Sequence, residues 1–441
     1  MKNIITPMMS ICYIEAFERF AFLGFQVIFI FYLMDYFGFS KGDASLISAS
    51  FGACVYAFGI FGSLLSDFCF GAKRCVFYGL ILLAFGYLFL AFNYLFLALF
   101  FLVFGSVFIK SSLSALLAIS YPKNTDYAFS VFYIFVNIGC FLGQFIIGFI
   151  AHQYGYNVGF CLSFFMIFLS ILVYFGSRKC FVVDEIKYDL LKKYIFIFII
   201  FIFVIFYISQ FELSIISKII SFFTIVLPFL SYFFVFKKIK EKKPFIILGF
   251  YYLIAIFFYM LIFQSFNTLN ILVKEKTNGF LFGLSIPSAW YVSFMFFISI
   301  FFSILLSNIT KKYKVNEPIL IAFGVLLSSI AFILAGYLSK FESINSIYIL
   351  IIYSSLGIAQ LIVGAIGISV ASKLSPNGFT TSIIGIWFLC SAAAQGLEAL
   401  IVKNIDFVSY DIFFTYQGLF VFFISILIII FNKKLRIKYT K

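Results

Sequence analysis

The stretch SRKCFVVDEIKYDLLKKY, residues 177–194, is the longest polar segment in a chain that is otherwise strongly apolar. Of the 441 residues, 64% are hydrophobic and only 11% are charged, whereas about a quarter of the residues of an ordinary soluble domain are charged. Apolar runs of about 20 residues flank this stretch, and a run of that length spans a bilayer as a helix. The sequence therefore predicts an all-α polytopic membrane protein, which residues 177–194 divide.

Outward from this stretch, the apolar runs predict fourteen membrane-spanning helices. Six precede it, two follow it as far as the basic run KKIKEKK at 237–243, and six come after that run. A helix of this length crosses a hydrocarbon core of about 30 Å. The predicted spans are 10–36, 43–67, 75–93, 95–121, 127–153, 157–176, 193–210, 214–236, 245–270, 281–308, 317–338, 345–373, 378–402 and 409–432.

The positions of Lys and Arg orient these spans, because cytoplasmic loops of membrane proteins carry an excess of both residues. Arg19, Lys110 and Lys218 fall inside predicted spans. If the N-terminus is cytoplasmic, most of the other basic residues fall in cytoplasmic loops or at the termini. The outer side then carries only Lys41, Lys274, Lys276, Lys340 and Lys403. Both termini are therefore predicted to be cytoplasmic.

The arrangement of six, two and six spans resembles the architecture of the major facilitator superfamily, in which two six-helix bundles are joined by a basic linker. The resemblance implies an N-terminal bundle at 1–176 and a C-terminal bundle at 244–441. Between them lies a cytoplasmic linker, 177–243, with two extra helices at about 193–210 and 214–236. In such a fold the substrate site lies between the two bundles, near the middle of the membrane.

The first predicted span contains YIEAFERFAFLG, residues 13–24, in which Glu15, Glu18 and Arg19 interrupt an apolar run. An ionised side chain at the bilayer centre costs about 2.5–3.5 kcal/mol on insertion scales, so such residues face protein or a wet cavity. Residues three and four apart share one face of a helix, and Glu15 and Arg19 are predicted to pair. Lys110 in the fourth span is the candidate to balance the remaining negative charge.

Two interpretations of these four residues stay open on physical grounds. One is an ion-pair network that fixes helix packing. The other is a proton relay, because two close carboxylates in a low dielectric resist joint ionisation and one of them readily holds a proton. A relay suits a carrier in which the wetting and the partners of the cluster change, and we favour it.

Six motifs resemble, in the same order along the chain, the signatures of the proton-dependent oligopeptide transporters, the peptide-transporter family of the major facilitator superfamily. The first is ExxERF, formed by Glu15, Glu18, Arg19 and Phe20. The others are GSLLSDFCFGAKR (62–74), FIKSSLSALLAISY (108–121), AFSVFYIFVNIGCFLGQ (128–144), FQSFNTLNILV (263–273) and GIWFLCSAAAQGL (385–397). Two inserted helices between the bundles are also typical of bacterial members.

The resemblance implies roles for particular residues. Arg19 and Lys110 would hold the carboxylate of a short peptide, and Glu15 and Glu18 would exchange protons and switch partners between these two cations. Asp67, Lys73 and Arg74 would lie at the cytoplasmic gate. The remaining substrate-binding positions implied are Tyr56, Asn137, Gln264, Trp290, Gln360 and Trp387.

Other interpretations of several positions stay open. Tyr56 is also consistent with a packed aromatic residue, and Asn137 with a hydrogen bond between helices. Trp290 and Trp387 are also consistent with ordinary core or interface anchors.

The sequence departs from the family at two places. Phe22 and Leu23 stand where the family has a tyrosine pair, and Gln360 stands where it has a glutamate that receives the peptide's amino terminus. An amide cannot neutralise a buried ammonium. Glu398 is the one acid of the C-terminal half that lies inside a predicted span beyond its first turn, and it is expected near the outer end, while Glu275, Glu342 and Asp406 are expected in outer loops.

The sequence thus predicts a proton-coupled symporter that imports di- or tripeptides, or peptide-like compounds, by alternating access. Gln360 motivates an alternative, a transporter of the same fold that carries a non-peptide small anion or drug-like solute. A receptor or scaffold is disfavoured because the loops are too short to carry a partner domain.

Several functions are not expected. No nucleophile–base spacing indicates an enzyme, and eight cysteines without CxxC spacing and a single histidine indicate no metal site. The proton is the only coupling ion expected, with no other cofactor. The net charge of +14 lies in short loops and does not indicate nucleic-acid binding. We expect a monomer in the lipid bilayer of a bacterial inner membrane.

Overall fold

The structure is a computed structural model, and it describes residues 7–59, 62, 65–66, 70–121, 125–181, 212–239, 242–281, 284–312, 316–375 and 380–435. These ranges are almost entirely helical, and 12 helical segments in them are long and apolar enough to cross a membrane. The all-α polytopic fold is therefore confirmed. The predicted helix at 193–210 and residue Asp67 lie outside the described residues.

Within the described residues, six helices precede the polar stretch at 177–194, as predicted. Each helix is apolar along most of its length, so the side chains that face outward are in contact with the lipid of the bilayer. The helices are α1 (Pro7–Asp35), α2 (Lys41–Ala57), α3 (Ala72–Ala91), α4 (Leu95–Ser120), α5 (Thr125–Tyr154) and α6 (Tyr156–Ser177).

The later part of the chain begins, within the described residues, with the second of the two predicted inserted helices. The helices are α7 (Leu213–Lys238), α8 (Lys242–Phe263), α9 (Thr268–Lys276), α10 (Ser288–Lys312), α11 (Glu317–Leu338), α12 (Ser346–Lys373), α13 (Thr380–Val402), α14 (Tyr410–Ile430) and the short α15 (Asn432–Leu435). A two-residue antiparallel strand pair, β1 (Phe280–Leu281) and β2 (Leu284–Ser285), precedes α10.

The helices pack into two compact units. Unit 1 comprises Met1–Tyr32 and Cys54–Ile216, and unit 2 comprises Leu33–Ala53 and Ser217–Lys441. In unit 1, α3 packs along α4 and α6. In unit 2, α11 packs along α14 and α12, and α8 packs along α13.

Two predicted spans need correction. The span predicted at 281–308 begins only at Ser288, because Phe280–Leu281 and Leu284–Ser285 form the strand pair and Pro287 precedes the helix. Proline lacks a backbone donor and suits the start of a helix, so it was an available signal. The span predicted at 245–270 is broken between Phe263 and Thr268, and this break brings polar groups into unit 2.

Small residues on α5 fix the position of α1, the helix that carries the charged cluster. Gly139 and Gly143 are four residues apart and share one face of α5. A Cβ atom at Gly139 would collide with the carbonyl oxygen of Ala16, and one at Gly143 would collide with the backbone of Phe20. This close approach is typical of small-xxx-small packing between membrane helices. Ala16 and Phe20 flank the charged residues, so α5 sets their depth and rotation.

We expect Gly139→Ala to destabilise the protein, because the new methyl group meets backbone atoms that cannot move aside. Overpacking of this kind costs about 1–3 kcal/mol. The matched control is Gly176→Ala on α6, where the new Cβ would meet open space. Thermal denaturation of the purified variants in detergent should give a lower midpoint for Gly139→Ala only. Equal midpoints for the two variants would mean that α1 does not rest on α5.

Candidate functional site

The predicted pairing on α1 is present in the structure. The Arg19 Nε donates a hydrogen bond to Glu15 Oε1 at 2.7 Å, and the same Nε lies 2.9 Å from Glu18 Oε2. Both carboxylates are buried, Glu18 with 1% of its surface exposed. The 2.9 Å approach is an ion-pair contact without hydrogen-bond geometry, so neither oxygen of Glu18 makes a hydrogen bond with the described residues. Arg19 thus interacts with both carboxylates. Glu18 is the less constrained of the two, because it makes no hydrogen bond with a described residue.

Lys110 on α4 lies beside this cluster in unit 1, as the sequence predicted. Its Nζ is buried and makes no hydrogen bond with any described residue. The ammonium instead lies 3.5 Å from the centroid of the Tyr56 ring and 5.8 Å from that of Phe22. An aromatic face offers a cation about 0.5–2 kcal/mol. This interaction orients Lys110, whose ammonium forms no hydrogen bond with a described residue although Glu15 and Glu18 are near enough to act on its charge.

Phe22 links the two cations of the site. Its ring centroid lies 5.9 Å from Arg19 Cζ as well as 5.8 Å from Lys110 Nζ, and the ring is almost fully buried. Sequence reasoning treated Phe22 only as the loss of a tyrosine hydroxyl. The structure shows that the ring itself lies close to both the guanidinium and the ammonium. The i,i+3 spacing of Arg19 and Phe22 was the signal for half of this contact.

Tyr56 and Asn137 are also in unit 1, and the geometry bears on their predicted roles. Tyr56 is half-buried under the Lys110 ammonium, so it positions that cation whether or not it also contacts a ligand. The Asn137 amide donates to the carbonyl of Tyr133 on its own helix at 3.0 Å. Within the described residues it does not make the interhelical hydrogen bond considered from the sequence.

The predicted residues of unit 2 are in different environments. The Gln264 side chain is fully buried at the break between α8 and α9, where it donates to Gln417 Oε1 at 2.7 Å and accepts from Thr268 Oγ1 at 2.9 Å. Its amide is committed in this conformation. Trp387 is 2% exposed and packs against Tyr252 and Gly367, which fits a core anchor.

The remaining two predicted residues of unit 2 are half-buried. Gln360 lies on α12, and its Oε1 has no hydrogen-bond partner among the described residues. This oxygen can accept a hydrogen bond from a donor on a ligand. Trp290 lies in the first turn of α10. Its position near the helix end is that of an interfacial anchor.

A cluster of ion pairs in unit 2 joins the segment 33–53 to the ends of α9 and α13. Lys41 pairs with Glu275 at 2.8 Å and Lys274 with Asp35 at 2.8 Å, while Lys403 pairs with Asp43. Glu275 belongs to the last turn of α9 and not to a loop. In addition, Asp406 accepts a hydrogen bond from the backbone N–H of Gly42 at 2.9 Å. These ion pairs are partly exposed and contribute about 0–1 kcal/mol each to stability. They therefore help to position the segment 33–53 but stabilise its packing only weakly.

The described ranges contain no group of three or more His, Cys, Asp or Glu side chains that could hold a metal ion. A multi-helix membrane fold with a buried carboxylate–guanidinium cluster, beside which a buried ammonium makes no hydrogen bond with a described residue, indicates a secondary transporter of small solutes. More narrowly, the chain belongs to the POT family, the proton-dependent oligopeptide transporters, since the family's sequence profile matches residues 50–414.

Known proteins resemble the chain over most of its length. The Escherichia coli (strain K12) protein called dipeptide and tripeptide permease A is 28% identical over 407 residues, which are 87% of this chain and 81% of the relative. The crystal structure of a variant of the peptide transporter POT in complex with alafosfalin has a TM-score of 0.88 at 24% identity and covers 97% of this chain and 94% of its own. A POT family transporter crystallised with 5-aminolevulinic acid has a TM-score of 0.86 at 22% identity, with 98% and 96% covered. These structures share the fold of this chain.

Proposed function

We propose that this chain is a proton-coupled symporter that imports di- or tripeptides, or peptide-like compounds, by alternating access. The observation that carries the proposal is the set of four charged groups in unit 1, in which Glu15 and Glu18 share Arg19 while Lys110 lies against aromatic rings and makes no hydrogen bond with a described residue. Such a set has one cation free to attract an anion and one acid free to take a proton.

The roles in the proposed cycle follow from this geometry. The carboxylate of a peptide binds the Lys110 ammonium and the outward nitrogens of the Arg19 guanidinium, which offer a point charge and a fork respectively. An anion beside Arg19 competes with Glu18 for the same cation. Glu18 then takes a proton more readily, because it has lost part of its counter-charge. Substrate binding and proton binding thereby favour each other, which is the requirement for symport.

Membership of the POT family and the printed name of the E. coli relative support a peptide cargo. They do not favour the alternative of a non-peptide anion or drug-like solute, which Gln360 had motivated. Within the peptide hypothesis, Gln360 implies that the amino terminus of the peptide is received by a neutral oxygen rather than by a carboxylate.

The test is uptake of a radiolabelled dipeptide into proteoliposomes that contain the purified protein. We expect an inwardly directed proton gradient to drive accumulation above the equilibrium level and a protonophore to abolish it. Empty liposomes and liposomes with the gradient reversed are the controls. Uptake that is indifferent to the gradient would exclude proton coupling, and the absence of any dipeptide uptake or exchange would exclude the cargo.

Replacing Gln360 with Glu should increase the affinity for peptides with a free amino terminus. A charge-assisted hydrogen bond is about 1–2 kcal/mol stronger than a neutral one, which corresponds to roughly tenfold in affinity. Competition by Ala-Ala against labelled dipeptide would measure it. N-acetyl-Ala-Ala, which carries no ammonium, is the matched control and should not improve. An equal gain for the two peptides would place the amino terminus elsewhere.

We further propose that the protein works as a monomer in a bacterial inner membrane with both termini cytoplasmic. The support is the concentration of Lys and Arg on the side that contains residues 177–194 and 237–243. Fusing a fluorescent protein that folds only in the cytoplasm to the C-terminus should give fluorescent cells. Dark cells with full-length fusion in the membrane would invert the topology.

A further inference from the structure

Glu398, a buried acid of unit 2, has no role in the proposed transport cycle. Glu398 lies on α13 and is fully buried, and its Oε1 accepts a hydrogen bond at 2.7 Å from the side-chain amide of Asn267. Asn267 is 2% exposed and lies at the break between α8 and α9. The break places polar side chains of an otherwise apolar span inside unit 2. The Asn267 amide can therefore reach the Glu398 carboxyl group.

The atoms left without partners in this pair are complementary. Glu398 Oε2 and Asn267 Oδ1 are both buried, and neither makes a hydrogen bond with any described residue. Both are acceptors as long as the carboxyl group is ionised. One proton on Oε2 would make it a donor to Oδ1, and the two side chains would then form the two-point ring of an acid–amide pair. A single proton therefore satisfies both atoms, each of which otherwise costs about 1–3 kcal/mol.

The packing around Glu398 offers small and neutral side chains. Ala49 and Leu46 of α2 pack against Ala399, and Gly52 lies against Gln395. Ser45 and Ser48 lie on the same stripe of α2 as Ala49 and Gly52, since these residues are spaced three and four apart. Gly396, two residues before Glu398, lies against Thr224 of α7. These neighbours are uncharged, so they do not compensate a carboxylate.

The titratable and charged groups of the surrounding elements lie away from Glu398. Lys403, which pairs with Asp43, follows the end of α13 and is more than one helical turn beyond Glu398, and Tyr252 and Tyr259 of α8 contact Trp387, about three turns in the other direction. Tyr353 of α12 donates its hydroxyl to the carbonyl of Ser265. The other charged residues of these elements lie near helix ends: Lys41, Lys218, Lys237, Lys238, Lys242, Lys243, Lys274, Glu275, Lys276 and Lys373.

We propose that Glu398 and Asn267 form a second proton-binding site, separate from the charged cluster of unit 1 and loaded in this conformation. Oε2 of Glu398 carries the proton and Asn267 Oδ1 accepts it. Loss of the proton leaves a carboxylate with one neutral donor among apolar and hydroxyl side chains, which is unfavourable until water reaches it. Since the segment 41–53 covers this part of α13, release of the proton requires that the segment move away. The inference goes beyond the proposed symport and does not require that the cargo be a peptide.

The test is infrared difference spectroscopy on substrate-free protein in liposomes, in which a protonated carboxyl group has a carbonyl stretch apart from that of carboxylates. We expect wild type minus Glu398→Gln to give a positive band of one protonated carboxyl at neutral pH. The band should shift on equilibration in deuterated water, because an exchangeable site must reach solvent. Glu342→Gln, which removes an exposed acid, is the matched control and should leave the band in place. Asn267→Ala should move the band to higher frequency, because the carbonyl oxygen loses its donor.

Each outcome decides the proposal. A missing band in the Glu398→Gln difference spectrum would show that the carboxyl group is ionised, and the proposal would be wrong. A band that persists without an isotope shift would show a sealed, static acid, which also overturns a proton-binding site. Glutamine keeps the shape and one acceptor for Asn267, so the variant is expected to fold, and its thermal midpoint provides the check. None of these measurements uses transport, so they fail or succeed independently of the proposed cargo.

Discussion

Lys110→Gln is expected to lower dipeptide uptake by roughly a hundredfold at substrate concentrations below KM. The ammonium of Lys110 is buried, lies against aromatic rings and makes no hydrogen bond with a described residue, so a bound carboxylate would be its direct hydrogen-bonding partner. A charge-assisted hydrogen bond contributes about 1.5–3 kcal/mol, and 1.4 kcal/mol is a factor of about ten. Glutamine has similar reach and polarity, so the change removes the charge with little change in volume.

A peptide amide shows whether the lost interaction is with the carboxylate. Wild-type protein should discriminate strongly between a dipeptide and its C-terminal amide in competition assays, and Lys110→Gln should lose most of that discrimination. Lys218→Gln is the matched control, since Lys218 is exposed on α7. A variant that loses uptake but still discriminates as wild type would mean that Lys110 acts on folding or on the conformational cycle and not on the carboxylate.

The charged cluster was readable from the sequence because helical periodicity determines it. Glu15 and Arg19 are four residues apart, so a continuous helix places them on one face, where they form an ion pair. The fourteen-span plan was equally accessible, since it depends on runs of apolar residues and on the positions of Lys and Arg. The placement of Lys110 beside the cluster came from charge balance and from the family resemblance, because periodicity within α4 does not show which helix faces α1.

Features that depend on contacts distant in sequence were not accessible. Residues 33–53 pack with unit 2, although they lie within the predicted N-terminal bundle. The pairs that join them, such as Lys41 with Glu275, are 234 residues apart, and no local pattern encodes them. The break in the predicted span 245–270 did leave a signal, the polar run QSFNT at 264–268. This polar run resembles a family motif. It also indicates backbone and side-chain groups that need hydrogen-bond partners inside the protein.

Glu18→Gln is expected to abolish proton-driven accumulation while leaving peptide exchange across the membrane within a few-fold of wild type. Glu18 is 1% exposed and lies 2.9 Å from Arg19 Nε, but it makes no hydrogen bond with a described residue. Glutamine fits the same space as a protonated glutamate and cannot release a proton. Arg19 keeps its hydrogen bond to Glu15, so the substrate side of the cluster stays in position. Counterflow of labelled peptide measures exchange, and uptake against a concentration gradient measures coupling.

Glu15→Gln separates a proton relay from a structural network, because it removes the acid that holds Arg19 by the 2.7 Å hydrogen bond. In the relay this variant should lose both exchange and accumulation, since Arg19 loses its orientation, whereas Glu18→Gln loses accumulation alone. A purely structural network makes the two variants alike, with both activities and the thermal midpoint falling together. Glu212→Gln, at an exposed acid, controls for the loss of one negative charge. Accumulation that survives in Glu18→Gln would assign the coupling proton to another group, and the buried Glu398 would be the first to examine, because it is the acid of unit 2 with a single neutral partner.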